Sequence, residues 1–359
     1  MATKFILFLL VALVIYGGIN YYLGWNFYKA LRSFGLLIRK FIYWPLFFIL
    51  ALTPVISRFI TWDWVKVVSD YWMFFFAYGL MLAVVCNILS LILKRRYTKV
   101  ISWFAIAILL VLFVVGQFNA FSPTVKELTI NRTEPSQQKQ LKIVFVADLH
   151  LGILSDKAHL KKFVELSNEQ KPDLVVLAGD IVDDSPKWFK EQGMQAELNK
   201  LQATYGVYGI LGNHEYIGDE IKEVNKVMKQ SNVTMLQDET LKITEDIFLT
   251  GRDDATNDER LSLVDLKKQL EPGKPWLVLD HQPPKTLDNP DVSLMLSGHT
   301  HNGQIWPGNL LVKTMYSLAY GHESSNGTDY VVTSGFGFWG PPMRIGTKSE
   351  LWSITMNFK

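Results

Sequence analysis

Cysteine is almost absent from this sequence. Cys86 is the single cysteine among 359 residues, so no intramolecular disulfide can form. Residues 141–359 contain no cysteine at all, and a domain there must be held together by its hydrophobic core, for which this length is ample. The sequence also has no segment that repeats at a fixed period, which argues against a solenoid or a propeller.

Acidic residues are scarce in the first third of the chain. Residues 1–120 contain two Asp and no Glu against eleven Lys or Arg, which gives a net charge of +9. Because the whole chain carries +2, the remaining residues carry −7. The near-neutral total therefore hides two parts of opposite charge, and the long apolar runs all lie in the basic one.

The basic part contains four long apolar runs, at residues 5–23, 41–60, 71–93 and 100–118. Each approaches the ~20 residues that a helix needs to cross a ~30 Å hydrocarbon core. We therefore predict an all-α transmembrane region of four helices over residues 1–120. The first run follows Lys4 and could instead be a signal peptide, although no clear small-residue cleavage site follows it. Pro45, Pro54 and Arg58 interrupt the second run, which makes it the weakest span.

Basic loops predict the orientation of these helices. Two connections carry basic clusters, namely Lys29, Arg32, Arg39 and Lys40 in residues 24–40, and Lys94, Arg95, Arg96 and Lys99 after the third run. Such loops stay on the cytoplasmic side, so the N-terminus and everything after residue 118 are predicted to lie outside. The alternative is that the clusters only anchor the helices at either interface. The prediction is a multi-pass protein of the cell membrane with an extracytoplasmic catalytic domain.

Composition and periodicity change after the last apolar run. Residues 121–140 are rich in Ser, Pro and Gln, and we predict a linker there. Residues 141–359 alternate short apolar strands with helical segments, which is typical of an α/β domain. Loops that leave the carboxyl ends of strands are where α/β folds build active sites.

Side chains of the kind that bind metals follow five of these strands. In chain order they are Asp148, His150, Asp180, Asn213, His281, His299 and His301. Carboxylate, amide and imidazole groups suit Mn, Zn and Fe. In the Asp-x-His and His-x-His pairs, the period of two in a strand is expected to put both side chains on one side. A lone histidine is commonly a core residue, but five of the seven histidines follow these strands, namely the four just named and His214, which is next to Asn213. The other two, His159 and His322, are expected at the surface.

In order and spacing, these blocks resemble the signature of the calcineurin-like metallophosphoesterases: Asp148-x-His150, Gly179-Asp180, Gly212-Asn213-His214-Glu215, His281 and Gly298-His299-Thr300-His301. The resemblance covers residues 141–359 and implies a four-layer αββα sandwich with two divalent metal ions. Residues 335–344 look like the membrane-anchored branch, which includes lipid-directed members such as UDP-diacylglucosamine hydrolases. Asn302-Gly303-Gln304 departs from the Gly-Gly-Gln that is usual there, a change at the rim of the pocket that leaves the ligands intact.

The resemblance also implies a role for each residue. One metal ion would be held by Asp148, His150 and His301, the other by Asn213, His281 and His299, and Asp180 would bridge the two. His214 would be the catalytic residue that protonates the leaving oxygen; the alternative is a group that orients a ligand or the substrate. The ligand types do not choose between Mn, Zn and Fe.

Other polar residues are weaker candidates. The Arg-Asp-Asp segment at 252–254 either orients ligands or substrate, or forms an ordinary charged turn. Arg344 either donates to a phosphate or forms a structural salt bridge. Glu215 is expected to fix His214 by a hydrogen bond.

The sequence thus predicts an enzyme, a metal-dependent hydrolase of phosphate diesters or monoesters. Four spans exceed what tethering requires, so we hypothesise a membrane-lipid or lipid-linked substrate of the cell envelope. The expected partners are the lipid bilayer and that substrate, with no nucleic acid, and no oligomeric state follows from the sequence. The alternatives are a soluble extracellular substrate, or a non-catalytic metal-binding membrane sensor, against which the presence of His214 argues.

Overall fold

The computed structural model describes residues 2–60 and 62–359. The chain divides into two compact units. Unit 1 is formed by the described residues up to Val115 together with Gly340–Pro342, and unit 2 by Gly116–Trp339 and Met343–Lys359.

Unit 1 is helical. Its helices are α1 (Ala2–Ser33), α2 (Lys40–Ala51), α3 (Thr53–Ile56), α4 (Asp63–Ile92) and α5 (Thr98–Phe121), of which the last residues belong to unit 2. Among the described residues, α4 and α5 are the two helices long and apolar enough to cross a membrane, and few of their residues are buried by protein. Asn87 on α4 donates to the Tyr22 hydroxyl (2.6 Å) and to Asn26 Oδ1 (2.9 Å) on α1, a type of contact that joins membrane helices.

The second predicted span is not a single helix. It is divided into α2, with 12 residues, and α3, with four, both shorter than a membrane crossing requires. Pro54 accounts for the break because it has no backbone N–H to continue the helix, and the Thr53 hydroxyl donates to the Leu50 carbonyl instead (2.7 Å). The prediction of four transmembrane helices is therefore not confirmed, and α1 as a span stays a prediction.

The first predicted loop is also shorter than expected. Helix α1 continues to Ser33, so Lys29 and Arg32 lie on a helix and not in the connection. The apolar residues around them, such as Leu31, pack against the cluster of Leu23, Tyr28 and Tyr43, which extends the helix beyond the first apolar run.

Unit 2 is built from strands and short helices. Its strands are β1 (Thr124–Asn131), β2 (Gln140–Val146), β3 (Leu174–Ala178), β4 (Val207–Ile210), β5 (Val233–Met235), β6 (Glu239–Lys242), β7 (Phe248–Gly251), β8 (Trp276–Leu279), β9 (Leu294–Ser297), β10 (Gly321–Ser325), β11 (Thr328–Val332) and β12 (Glu350–Asn357). Its helices are α6 (Lys157–Glu169), α7 (Lys187–Glu191), α8 (Gln195–Leu198), α9 (Asn213–Ile217), α10 (Ile221–Gln230), α11 (Leu263–Lys267) and α12 (Gly308–Met315).

The strands form two six-stranded sheets, with the orders β1-β12-β2-β3-β4-β5 and β10-β11-β9-β8-β7-β6. All five residues of β3 are buried, because a parallel strand in the middle of such a sheet is covered on both faces. Val176 packs in the core between the two sheets, beside Leu277, whereas its neighbour Val175 packs against α6 through Phe163. Leu266 of α11 covers the outer face of the second sheet. The predicted four-layer αββα sandwich is confirmed.

Strand β1 lies in the segment predicted as a linker, and that prediction is wrong for residues 124–131. The strand runs parallel to β12, from Thr124 opposite Glu350 to Asn131 opposite Asn357. It is the edge strand of its sheet, and Ile130 is its one buried residue. An edge strand with exposed Lys and Glu has too little apolar signal to be recognised from the sequence.

Candidate metal centre

The carboxyl ends of five strands carry the predicted ligands. β2, β3 and β4 are parallel neighbours in the first sheet, and β8 and β9 are parallel neighbours in the second. The segments that follow these strands hold Asp148, His150, Asp180, Asn213, His281, His299 and His301, of which Asn213 is the first residue of α9. Both sheets therefore contribute side chains to one place, as the sandwich architecture requires.

The backbone of this place is unusual. Five of the predicted ligands have positive φ angles between 42° and 66°: Asp148, His150, Asp180, His299 and His301. Left-handed geometry is costly for residues with a side chain and is concentrated at functional sites. The predicted reason for the Asp-x-His pair was wrong, because these residues lie in left-handed turns beyond the strand and not on an extended chain.

Three predicted ligands form the first group. The Nε2 atoms of His150 and His301 are 3.1 Å apart, and Asp148 Oδ1 is 3.4 Å from His301 Nε2. All three residues are buried, and their ligand atoms lie within 4.8 Å of one another. This is the grouping that the sequence predicts for one ion.

The second group contains Asp180, His281 and His299, with Asn213 between the two rings. Asn213 Oδ1 is 2.7 Å from His299 Nδ1 and 3.2 Å from His281 Nε2. His281 Nδ1 lies 2.8 Å from the Ala178 carbonyl, so it carries the proton and donates it there. His281 Nε2 faces the Asp180 carboxylate, which favours a proton there, so a cation bound at this nitrogen would take the place of that proton.

Asp180 lies between the two groups. Its Oδ2 atom is 3.2 Å from His281 Nε2 in the second group and 3.7 Å from His150 Nε2 in the first. Of the predicted ligands, Asp180 is thus the one whose carboxylate faces both sets of donors, as its predicted bridging role requires.

Four of the six titratable candidate ligands have the charge state that suits metal binding. The exceptions are Asp148, whose pKa burial raises to about 7, and His281, in which burial opposes the charged form but the charge and hydrogen bond of Asp180 hold the pKa well above its usual value. Burial lowers the pKa of His150 and of His299 to about 4 and holds the pKa of His301 well below its usual value. Burial would raise the pKa of Asp180, but the charge and the hydrogen bond of His281 lower it instead. Neutral imidazoles and an ionised carboxylate are the forms that bind cations. Acceptor atoms that face one another at 3.1–3.7 Å are what two divalent ions would hold together.

His214 has a carboxylate partner that the sequence analysis missed. Its Nδ1 atom is 2.6 Å from Asp184 Oδ1, and its ring centroid is 4.6 Å from that of His150. Burial opposes the charged form, but the hydrogen bond to Asp184 and the charges of Asp180 and Asp183 raise the pKa of His214 to about 9. The only sequence signal for this pair is the Asp183-Asp184 doublet shortly after the second block, Gly179-Asp180.

The predicted contact between Glu215 and His214 is wrong. The buried carboxylate of Glu215 instead accepts hydrogen bonds from four backbone N–H groups, those of Asp180 (3.2 Å), Ile181 (2.7 Å), Val182 (3.0 Å) and Gly212 (2.7 Å). Glu215 therefore joins the loops after β3 and β4 and fixes the backbone that carries Asp180 and Asn213.

The sequence is similar to those of known phosphoesterases. The calcineurin-like phosphoesterase family model matches residues 141–303. An uncharacterized metallophosphoesterase of Campylobacter jejuni is 31% identical over 99% of this chain and 99% of its own length. The chain belongs to the calcineurin-like phosphoesterase family. It is thus a hydrolase of phosphate esters that uses two divalent metal ions, and Asp and His side chains suited to hold them are present.

Two other relatives of this phosphoesterase match over shorter stretches. A transmembrane protein with metallophosphoesterase domain from Bos taurus is 32% identical over 70% of this chain and 61% of its own. An uncharacterized metallophosphoesterase of Helicobacter pylori is 35% identical over 64% of this chain and 62% of its own.

Arg344 in this phosphoesterase binds backbone carbonyls, which were not among its predicted partners. It is fully buried, and its guanidinium donates to the carbonyls of Ser334 (2.6 Å), Gly335 (3.1 Å) and Gly337 (2.7 Å). Its Nη2 atom also lies 3.5 Å from His301 Nδ1. Arg344 thus holds the 334–337 loop behind His301.

The prediction that His159 lies at the surface is wrong. The residue is buried, its Nε2 lies 3.0 Å from the Phe336 carbonyl, and its ring packs against Phe121. His322 is exposed, as expected, and its Nε2 lies 2.7 Å from Asp329 Oδ1.

The 252–254 segment is more than a charged turn. Arg252 forms an ion pair with Asp280 (2.5 Å). Asp280 directly precedes His281. Asp253 accepts a hydrogen bond from the Tyr216 hydroxyl (2.7 Å). This contact anchors helix α9, whose first residue is Asn213. The segment therefore supports two ligand-bearing loops from outside.

Proposed function

We propose that this phosphoesterase hydrolyses a lipid or lipid-linked phosphate ester, a diester or a monoester, at the extracytoplasmic face of the membrane. The proposed ligands are Asp148, His150 and His301 for one ion and Asn213, His281 and His299 for the other, with Asp180 bridging. The observation that carries this assignment is the Asp180 carboxylate, which faces donors of both groups at 3.2 and 3.7 Å.

His214 is proposed as the general acid. Two bound ions would neutralise charge on the phosphoryl oxygens and acidify the attacking water. His214 lies beside the first group, and its pairing with Asp184 favours the protonated ring. A protonated imidazole can give its proton to the leaving oxygen, which would otherwise depart as an unstable alkoxide.

Membrane association supports the lipid substrate. Helices α4 and α5 are long and apolar enough to cross a membrane, and the bovine relative is named a transmembrane protein. The basic residues 94–96 lie between these two helices, which favours a cytoplasmic connection and an outer location for the residues after α5.

The test uses the purified full-length chain with Mn, Zn or Fe. We expect hydrolysis of a chromogenic phosphate diester or monoester, and of a phospholipid or a polyprenyl phosphate conjugate in liposomes. Asp180→Asn should lower activity by at least about 100-fold, more than the loss of a partner outside the ligand set, and should lower the bound metal measured by elemental analysis. Asp173→Asn is a control outside the site, since Asp173 contacts the Lys142 backbone.

The alternatives have distinct outcomes. A wild-type chain that binds metal but cleaves none of these substrates with any ion would support the non-catalytic sensor. Rapid hydrolysis of water-soluble esters without turnover of any envelope lipid would support a soluble extracellular substrate.

A further inference from the structure

Helix α12 exposes apolar side chains to its surroundings. None of its eight residues, all within the described part of the chain, is buried. Leu310, Leu311 and Met315 are 55%, 64% and 61% exposed, and Trp306 and Trp339 are 46% and 55% exposed. We call these five residues the apolar rim. Apolar patches of this kind on a protein surface mark sites of interaction.

The apolar rim borders the metal centre. The Trp339 ring lies 6.2 Å from the His214 ring. Tyr316, which directly follows α12, lies 6.2 Å from the His299 ring. Gln304 connects Trp339 to the loop before α12, because its side chain accepts from the Trp339 N–H (2.9 Å) and donates to the Trp339 carbonyl (2.8 Å). The rim thus lies beside the part of the metal centre that contains His214 and His299.

Unit 2 also connects the apolar rim to the end of α5. The Arg344 N–H donates to the Gly116 carbonyl (3.0 Å), and Gly116 precedes the last residue of α5 by five positions, about 7 Å along the helix. The next residue, Ile345, pairs with Ile305 and accepts from the Trp306 N–H (2.8 Å). Two backbone contacts therefore connect the rim to Gly116, the first residue of the part of α5 that belongs to unit 2.

We infer that the apolar rim inserts into the interface of the lipid bilayer and presents the phosphate of a membrane lipid to the metal centre. A short helix with leucines, flanking tryptophans and a lysine, here Lys313, has the composition of interfacial membrane helices. Its connection to α5 favours the bilayer over a second protein as the occupant. The choice of a lipid substrate rests on the proposed function, whereas insertion of the rim does not.

Insertion is tested with the full-length chain in liposomes. Cys86→Ser removes the natural thiol, and Leu311→Cys introduces one thiol for an environment-sensitive fluorophore. Val264→Cys on α11, where Val264 is 71% exposed, is the matched control. We expect nitroxide-labelled lipids to quench the probe at position 311 and not the probe at position 264. Equal, weak quenching at both positions, or shielding of position 311 by crosslinking to a second copy, would overturn the inference.

Activity tests the use of the rim. The double variant Leu310→Lys, Leu311→Lys is expected to lower hydrolysis of a phospholipid in the same liposomes by about tenfold, because charged groups oppose insertion of the helix. Hydrolysis of a water-soluble chromogenic ester should not change, which also shows that the variant is folded. Met315→Lys is the milder second variant.

An equal loss of activity on both substrates, or a loss on neither, contradicts the inference. A wild-type chain inactive on both substrates defeats the proposed function but leaves the quenching result decisive for insertion.

Discussion

The proton of His214 is controlled by Asp184. The two side chains are 2.6 Å apart, and a pKa of about 9 keeps the imidazole protonated near neutral pH. A protonated imidazole at this position suits a proton donor. The predicted general acid therefore has the electrostatic environment that its role requires.

Replacing His214 should affect poor leaving groups most. His214→Ala is expected to lower kcat for an alkyl phosphate ester by about 10²–10⁴-fold, because an alkoxide needs the proton. The kcat for a p-nitrophenyl ester should fall much less, because its leaving group is stable without a proton. Initial rates on the two esters at saturating metal measure the difference.

Asp184→Asn provides the matched control, since it keeps the hydrogen bond to His214 but removes the charge. We expect kcat to lie between the values of the wild type and of His214→Ala, with the same dependence on the leaving group. Equal losses on both esters would assign His214 to orienting ligands or substrate.

Several buried polar residues have partners that the sequence does not indicate. Glu215 and Arg344 bind backbone groups of loops, at positions up to 35 residues away in the first case. The residue types that form the site were predictable because each follows a strand in a recognisable block. Their partners were not, because a carboxylate or a guanidinium has the same appearance in the sequence whether it binds a side chain, a backbone group or a phosphate.

Helix α6 carries a histidine that is neutral because of its packing. Its ring is enclosed by Phe121, Phe336 and Phe338, and burial lowers the pKa of His159 to about 4, despite the hydrogen bond to the Phe336 carbonyl. In the unfolded chain this group has its ordinary pKa of 6.5. The unfolded state therefore binds a proton more readily, and the folded state loses stability as the pH falls from 6.5 towards about 4.

The contribution of His159 to this acid sensitivity can be measured. His159→Gln keeps a side-chain donor for the Phe336 carbonyl but does not titrate. We expect the free energy of unfolding of the wild type to fall by up to about 3 kcal/mol more than that of the variant between pH 6.5 and 4. Urea unfolding of the full-length chain in detergent and excess chelator, at several pH values, gives the comparison. Parallel pH profiles for the two proteins would contradict it.

The whole molecule combines a basic helical part with an acidic α/β unit. Residues 1–120 carry a net charge of +9 within a chain of +2, and the membrane-capable helices α4 and α5 lie in the basic part. Helix α5 ends three residues before β1 begins, and β1 is paired along its length with β12. The segment predicted as a linker therefore contains a strand of the sheet at residues 124–131.

The predicted side of the membrane can be tested by labelling intact cells. In a Cys86→Ser background, Val264→Cys on the exposed face of α11 should react with a membrane-impermeant maleimide. Lys94→Cys, in the basic connection after α4, should react only after permeabilisation, because basic loops stay in the cytoplasm. The reverse pattern would place the catalytic unit in the cytoplasm.

The sequence by itself determined the candidate ligand types, their order, the α/β class and the two membrane-capable helices, because these depend on composition and on patterns within a few neighbouring residues. Only the tertiary structure decided that Asp180 lies between two groups of donors, that His214 pairs with Asp184, and that α12 leaves apolar side chains exposed beside the site. It also decided that β1 joins the sheet. These outcomes depend on contacts between residues distant in the chain, such as His150 and His301, whose positions are fixed only when the two sheets pack together.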